Sequence, residues 1–404
     1  MKRLAHIAVL VVVTLLMACG NKEIALDTEP LYTPRYAQGF SIERDKESGD
    51  KYLVIKNPWQ GAEGVAFYTK LDTVAPPKRI IAMSSSHSAM LEAVECANRI
   101  VGLSGCQFIY SPTLREAIDK GQICEVGYDS NFDFERIVSL NADLVLLYGV
   151  TGEAKGVTDK LDELAIPYIY IGDYLENSPL GKAEWVVALA SLCGVEEQGK
   201  RLFDGVEERY NALRNKKHCS AYRPRVMLNT PYRDTWFMPP HNSYMVQLIE
   251  DAGGEYILRR KTKDERRTDA AEREQRVLAH FAEPQGGKAC GSRVKDERRE
   301  NSSTTSKPIS LEEALEYALQ ADFWLNLGQI ASVEELRCVT PHFTNIDAVR
   351  FGRIYNNTKR TNESRGSDFW ESGCVRPDII LADLVKILHY EAPTDSLYYY
   401  KRLQ

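Results

Sequence analysis

The chain has 404 residues, of which 44% are apolar and 27% charged, and it carries a formal net charge of -6. Apolar content of that size over that length supports sizeable hydrophobic cores, about two domains by ordinary domain size, and excludes a wholly disordered chain. The acidic balance offers no basic field for nucleic acid.

The N-terminus opens with Met1-Lys2-Arg3, continues through an apolar run from Ile7 to Leu16, and reaches Leu16-Met17-Ala18-Cys19. The run is well short of the roughly 20 residues of a membrane-spanning helix, so it reads as the core of a signal peptide. Leu16 to Cys19 resembles the bacterial lipobox, which implies a signal peptide over residues 1–18 and a lipid-bearing Cys19 at the start of the mature protein. Such an anchor holds a protein on a membrane without a helix and puts the rest of the chain in the bacterial periplasm. Beyond Cys19 lie Cys96, Cys106, Cys124, Cys193, Cys219, Cys290, Cys338 and Cys374. An oxidising compartment allows pairs among them, and without a CxxC or other metal-ligand spacing, disulfides or buried thiols outrank a zinc site. The connectivity is open.

Residues 19–75 form a lipid-anchored leader with an expected hairpin, Lys51 to Pro58 against Gly64 to Lys70. From Arg79 short apolar strands alternate with amphipathic helices: strand Arg79 to Met83, a Ser-rich turn Ser84 to Ser88, helix Ala89 to Ala97, strand Arg99 to Leu103, helix Glu135 to Leu140, strand Asp143 to Tyr148, helix Thr158 to Leu164 and strand Tyr168 to Ile171. Alternation of this kind predicts a parallel sheet covered by helices, an N-terminal α/β lobe over 76–176. Asn177-Ser178-Pro179 then opens a periodic stretch over 177–217, a single linking helix of roughly 50 Å at 1.5 Å per residue. A second α/β lobe over 218–390 follows, with strand Arg225 to Asn229, helix Ser243 to Ala252, helix Leu311 to Leu319, strand Asp322 to Asn326, strand Arg353 to Asn356 and helix Asp378 to Leu388. Residues 259–307, rich in Lys, Arg, Glu and Ser, cannot bury enough apolar surface to order themselves and are expected to be a disordered insertion. Residues 391–404 are a C-terminal tail.

The two halves share a cadence: Asp133-Phe134-Glu135 opens a helix leading to Ala142-Asp143-Leu144-Val145-Leu146, and Ser310-Leu311-Glu312 opens one leading to Ala321-Asp322-Phe323-Trp324-Leu325. This order, with the Ser-rich turn after the first strand, the long linking stretch and Asn242-Ser243-Tyr244 through Gly254, resembles the substrate-binding proteins of class III ABC importers. Tyr355 to Arg360, Asp368 to Gly373 and Arg376 to His389 are similar to Bacteroidetes-type lipoprotein members in particular. The resemblance covers about residues 75–258 and 308–390 and departs from the family at the charged insertion.

The resemblance implies an α/β fold of two Rossmann-like lobes on one long helix, with a ligand cleft between them. It implies capture of an iron complex, a ferric siderophore or haem, with cobalamin as the alternative cargo. Delivery would be to an ABC permease with its ATPase, by a monomer with no cofactor of its own. Family docking motifs map onto Glu135 and Glu312, each in the first turn of its helix, where a carboxylate also favours the helix dipole. Candidate ligand residues at strand ends are Ser85, Ser86, His87, Tyr148, Trp236, Asn242, Tyr244, Arg360, Trp370 and Glu371, since aromatic walls with a few polar groups suit large flat chelates. His87 is also a candidate axial ligand to a chelated metal, although a lone His is more often structural. Arg360, Arg365 and Arg376 can pair with carboxylates on a ligand or stabilise a lobe. The competing enzyme reading, chelatase-like with Asp368 and Glu371 as acid and base, lacks a phosphate loop, a GxSxG elbow and an HExxH motif.

Overall fold

A computed structural model describes residues 26–72, 74–128, 131–150, 154–216, 222–258, 306–389 and 396–404. The signal peptide, Cys19 and the charged insertion up to residue 305 lie outside the described residues. Among the described residues no helix is long and apolar enough to cross a membrane. The chain divides into two compact units, one of residues up to 104, 123–175 and 184–200, the other of residues 105–122, 176–183 and 201 onward.

The first unit begins with β1 (Thr28–Tyr32), β2 (Phe40–Asp45), β3 (Lys51–Lys56) and β4 (Ala66–Lys70), paired antiparallel in that order. The two segments expected as a hairpin, β3 and β4, do pair, and the leader ahead of them supplies two further strands. This sheet is fastened to the rest of the unit by Glu184. Its side chain is fully buried and accepts hydrogen bonds from the Tyr32 hydroxyl (2.7 Å) and from the backbone N–H groups of Arg35, Tyr36 and Ala37 (2.8 Å each). Phe40 packs against Trp185 beside it, and Lys51 pairs with Glu196.

The α/β part of the first unit holds β5 (Ile80–Ala82), β6 (Ile100–Leu103), β7 (Cys124–Glu125), β8 (Leu144–Leu147) and β9 (Tyr168–Tyr170), all parallel, in the order β7-β6-β5-β8-β9. Strands buried on both faces read as continuous apolar runs, as Ile100 to Leu103 and Leu144 to Leu147 do. Ile81, Met83, Val101, Val126, Ile137, Val145, Leu147, Leu161 and Tyr170 form one core cluster between sheet and helices. Helices α1 (Ser85–Ala93), α2 (Pro112–Asp119), α3 (Phe134–Ser139) and α4 (Lys155–Glu163) alternate with these strands, α2 grouping with the second unit. The Ser-rich segment is not a free turn: Ser84 caps α1 by accepting from the Ser86 N–H, so the helix starts four residues earlier than expected.

The expected single linking helix is two, α5 (Pro179–Leu192) and α6 (Glu196–Arg214). The break falls at Cys193-Gly194-Val195, where Gly194 takes the left-handed conformation (φ +73°) and the Gly194 N–H donates to the Ser191 carbonyl, a common way for a helix to stop. Trp185 to Ala190 are fully buried, so this part of α5 is apolar all round and is a core helix rather than a strut.

In the second unit β10 (Arg225–Leu228), β12 (Glu255–Tyr256), β14 (Phe323–Leu325) and β15 (Ile354–Asn356) are parallel and β16 (Lys401–Arg402) is antiparallel, in the order β12-β10-β14-β15-β16. β11 (Thr235–Met238) and β13 (Lys307–Ser310) form a separate antiparallel pair. The helices are α7 (Tyr244–Asp251), α8 (Leu311–Ala318), α9 (Val333–Val339), α10 (Asp347–Arg350) and α11 (Pro377–His389). The end of the chain is no loose tail. β16 pairs with β15, and the buried Asp383 of α11 accepts from the backbone N–H groups of Tyr398, Tyr399 and Tyr400. Burial pushes the Asp383 carboxyl above its ordinary value, against the pull of those donors.

Removing Glu184 leaves three backbone donors and a hydroxyl without their acceptor. Glu184→Ala is therefore expected to destabilise the fold by on the order of 3–5 kcal/mol in urea unfolding and to open residues 30–40 to proteolysis. A loss below about 0.5 kcal/mol would contradict this role for the carboxylate.

Candidate functional site

In open parallel sheets ligands sit beyond the strand ends where the strand order reverses. In the first unit the reversal lies between β5 and β8, and the segments leaving these strands carry Ser85 to His87 and Tyr148. Ser85 and Tyr148 are half-buried. Ser86 is buried and its hydroxyl shares a hydrogen bond with Ser84 Oγ at 3.0 Å. His87 is 0% exposed, with Nε2 3.7 Å from Oδ1 of the buried Asp173 and no hydrogen-bond partner at either ring nitrogen among the described residues. The expected contact between His87 and a ligand or metal is thus corrected: as the third residue of α1 it is buried in the unit, as Ser86 is, and of this segment Ser84 and Ser85 are half-buried.

In the second unit the reversal lies between β10 and β14. Each strand ends in an asparagine with positive φ, Asn229 (+66°) and Asn326 (+61°). Short polar side chains tolerate that conformation, and here they turn the chain sharply off the sheet. Trp324 Nε1 donates to the Asn229 carbonyl at 2.6 Å and Trp236 Nε1 to the Leu228 carbonyl at 3.0 Å. Trp236 stacks against Trp324 and Phe343 with ring centroids 5.5 and 5.0 Å away and is 0% exposed. It is core, and the expectation that it lines a ligand surface is corrected. Strand alternation in β11 instead turns the neighbouring Phe237 outward, 44% exposed. Asn242 is exposed just before α7, whose cap is Ser243, and Tyr244 is half-buried with Lys182 Nζ 5.9 Å from its ring centre.

The most organised surface of the second unit is built from residues 105–111 and 357–376. Glu371 is buried and accepts from the Tyr110 N–H (2.7 Å) and the Ser111 N–H (2.8 Å). Asn362 Nδ2 donates to the Gln107 and Ile109 carbonyls, both at 2.9 Å. Gly366 lies so close to the same segment that a Cβ there would stand 1.8 Å from the Phe108 carbonyl oxygen. On this clamped frame the Arg360 guanidinium lies between two aromatic rings, 4.9 Å from the Tyr110 centre and 4.3 Å from that of Tyr398, with its Nε donating to Asp368 at 2.5 Å. Asp368 and the flanking tyrosines hold Arg360 more firmly in its charged form, against the cost of its partial burial. Trp370, 52% exposed, packs edge-on against Phe369, and Phe108 is also exposed. Arg376 is taken up by Asp378 through two hydrogen bonds of 3.0 Å, a lobe-stabilising use, while Arg365 stands exposed at the tip of the loop.

Glu371 was expected to touch ligand and is instead the acceptor that holds Tyr110 and Ser111 in place. With Asp368 paired to Arg360, neither carboxylate is poised as an acid or base. Phe108, Tyr110, Phe237 and Tyr398 were missed by sequence reasoning, because nothing in a single sequence brings residue 110 to residue 360. Among the described residues no group of three His, Cys, Asp or Glu side chains could hold a metal ion. A pocket of about 330 Å³ in the first unit, between β4 and the α4–β9 region, contains none of the expected ligand residues.

The two expected docking residues have matching local settings. Asp133 Oδ1 caps α3 by accepting from the Arg136 N–H at 2.8 Å, and Ser310 Oγ caps α8 by accepting from the Glu313 N–H at 3.2 Å. Glu135 and Glu312 each occupy the second helical position after the cap, and both are exposed. Glu312's own backbone N–H, with Ser310, holds its carboxyl below the ordinary value.

Glu371→Ala removes the acceptor of two N–H groups and should speed hydrogen exchange at Tyr110 and Ser111 by at least about tenfold, about 1.4 kcal/mol of lost local protection. Unchanged exchange at both amides would contradict the clamp.

Residues 80–276 match the family model described as periplasmic binding protein. An uncharacterized lipoprotein of Methanocaldococcus jannaschii is 26% identical over 328 residues, spanning 78% of this chain and 66%, just under two-thirds, of its own length. A periplasmic heme binding protein of Pseudomonas aeruginosa shares the fold with a TM-score of 0.54 at 15% identity, covering 81% of this chain and 98% of that one. A structure titled as an ABC-type Fe3+-hydroxamate transport system from Saccharomonospora viridis does so with a TM-score of 0.53 at 15% identity, covering 84% and 99%. The match to the periplasmic binding protein model spans just under half of the chain, and the fold that the chain shares with these solved structures is an α/β fold of two lobes.

Proposed function

We propose that this protein is the lipid-anchored receptor of an ABC importer, capturing an iron complex, a ferric siderophore or haem, and presenting it to the permease. The observation that carries the reading is the clamped surface of the second unit, where Arg360 is held between Tyr110 and Tyr398 and Trp370 is exposed nearby in the chain. A planar or aromatic-rich chelate gains from stacking on such rings, and a fixed guanidinium complements the carboxylates or hydroxamates that surround chelated iron. The titles of the Pseudomonas aeruginosa and Saccharomonospora viridis structures name haem and Fe3+-hydroxamate for those proteins, which is in keeping with an iron complex here. In the first unit, Ser85 and Tyr148 are the residues proposed to meet the ligand.

Docking is proposed to use Glu135 and Glu312. Their exposure and their shared position after a side-chain cap support this, because a carboxylate standing clear of its helix can enter a basic socket on the permease. The lipid on Cys19 would keep the receptor beside that permease, in keeping with the lipoprotein name of the archaeal relative.

Titration of the mature chain with a ferric hydroxamate siderophore, haemin and cyanocobalamin, followed by tryptophan fluorescence, tests the ligand. Of the five tryptophans Trp370 is exposed and Trp59 half-buried, while Trp185, Trp236 and Trp324 are fully buried. One iron complex should quench without being converted, and Trp370→Ala should weaken it at least about tenfold, about 1.4 kcal/mol. Quenching by cyanocobalamin alone would transfer the reading to a corrinoid, and no quenching by any of the three would remove it. For docking, Glu135→Arg and Glu312→Arg should each abolish uptake in cells while leaving the binding curve unchanged. Normal uptake by both variants would contradict the assignment.

A further inference from the structure

The cysteines of the first unit carry an inference independent of the ligand. Cys96 closes the turn after α1, where its N–H donates to the Leu91 carbonyl at 2.8 Å, and Cys193 is the residue at which α5 ends. Their thiols lie within hydrogen-bonding reach of each other and are almost wholly enclosed, 2% and 1% exposed. The backbone around them is pinned independently of the sulfurs. Arg99, three residues past Cys96, donates from Nη1 to the Cys193 carbonyl (2.9 Å) and to the Pro77 carbonyl (3.1 Å). Two thiols far apart in sequence, held together by a third residue in a dry setting, are pre-positioned for a covalent link.

We propose that Cys96 and Cys193 form a disulfide by exchange with a protein or small-molecule disulfide while the first unit folds. The Cys96 thiolate attacks one sulfur of the oxidant, breaking its S–S bond and releasing one thiolate. Cys193 then loses its proton and attacks the Cys96 sulfur of the mixed disulfide, releasing the second. Overall two thiols give up two protons and two electrons, and the oxidant is reduced to two thiols. The hydrogen bond from Cys193, helped by the Arg99 charge, lowers the Cys96 thiol below its ordinary value, and the same contact together with burial raises Cys193. Because both are buried once the unit closes, the bond forms during folding and is afterwards shielded from reductants.

The link closes a long loop that runs from α1 through all the later parallel strands of the unit to the end of α5, and the loop-entropy benefit of a crosslink grows with such length. It would also fix α1, which follows the candidate ligand segment Ser84 to Ser86, to the core helix.

The reduced, unfolded chain is refolded in a glutathione and glutathione disulfide buffer, denatured, alkylated with iodoacetamide without reductant, and digested. The expected result is one linked species holding the Cys96 and Cys193 peptides, lighter by two hydrogens than their sum. The Cys96→Ser/Cys193→Ser double variant should refold without it and melt roughly 10 °C lower. Recovery of both cysteines fully alkylated from refolded protein, or of either joined to glutathione or to a different cysteine, would overturn the proposal. Equal melting temperatures for the oxidised protein and the double variant would also count against it.

Discussion

A carboxylate taken out of water must be met by donors, and this protein meets that requirement repeatedly with backbone N–H groups from a distant segment. Glu184 on α5 gathers the chain at residues 35–37, Glu371 gathers residues 110–111, and Asp383 on α11 gathers residues 398–400. Each acid stands on or beside a packed element and each set of donors belongs to a segment with little secondary structure of its own. An unmatched buried charge costs several kcal/mol, so pulling any of these loops away from its carboxylate is strongly unfavourable. The leader sheet, the 105–111 segment and the C-terminal strand all keep their places by this means.

The consequence for function is greatest at Glu371. Without its hold on Tyr110 and Ser111, the ring of Tyr110 would not stand over Arg360, and the exposed aromatics of the loop would have no fixed frame. A binding surface made of mobile aromatic side chains loses affinity to ordering entropy. One made of clamped loops has met that cost on folding, which suits the proposed capture of a rigid chelate.

Much of the architecture was legible because strand and helix periods are local. The parallel strands at Ile80, Ile100, Leu144, Tyr168, Arg225, Phe323 and Ile354, and the capped helices after Asp133, Ser243 and Ser310, lie close to where hydrophobic periodicity and capping chemistry put them. Harder to see was anything decided by a single backbone angle or by a remote partner. Gly194 splits a stretch whose periodicity runs on either side of it, and a left-handed glycine leaves no mark in a hydrophobic pattern. Trp236 and Phe237 differ by one residue in a strand, and only its register decides which of them faces solvent. His87 and Glu371 were chosen as polar residues in loops, and burial beside Asp173 and under two N–H groups gave them other roles. The matched placement of Glu135 and Glu312 was visible because a capping residue and the helix position after it are both local features.

The proposed function requires that the protein retain an intact iron chelate. The most direct measurement is the visible absorption spectrum of the mature chain after incubation with a ferric hydroxamate siderophore or haemin and removal of unbound ligand by gel filtration. The protein fraction should keep a siderophore charge-transfer band or a Soret band at about one equivalent, and should lose it when Glu371 is replaced by Ala. A colourless protein fraction with both ligands would contradict it.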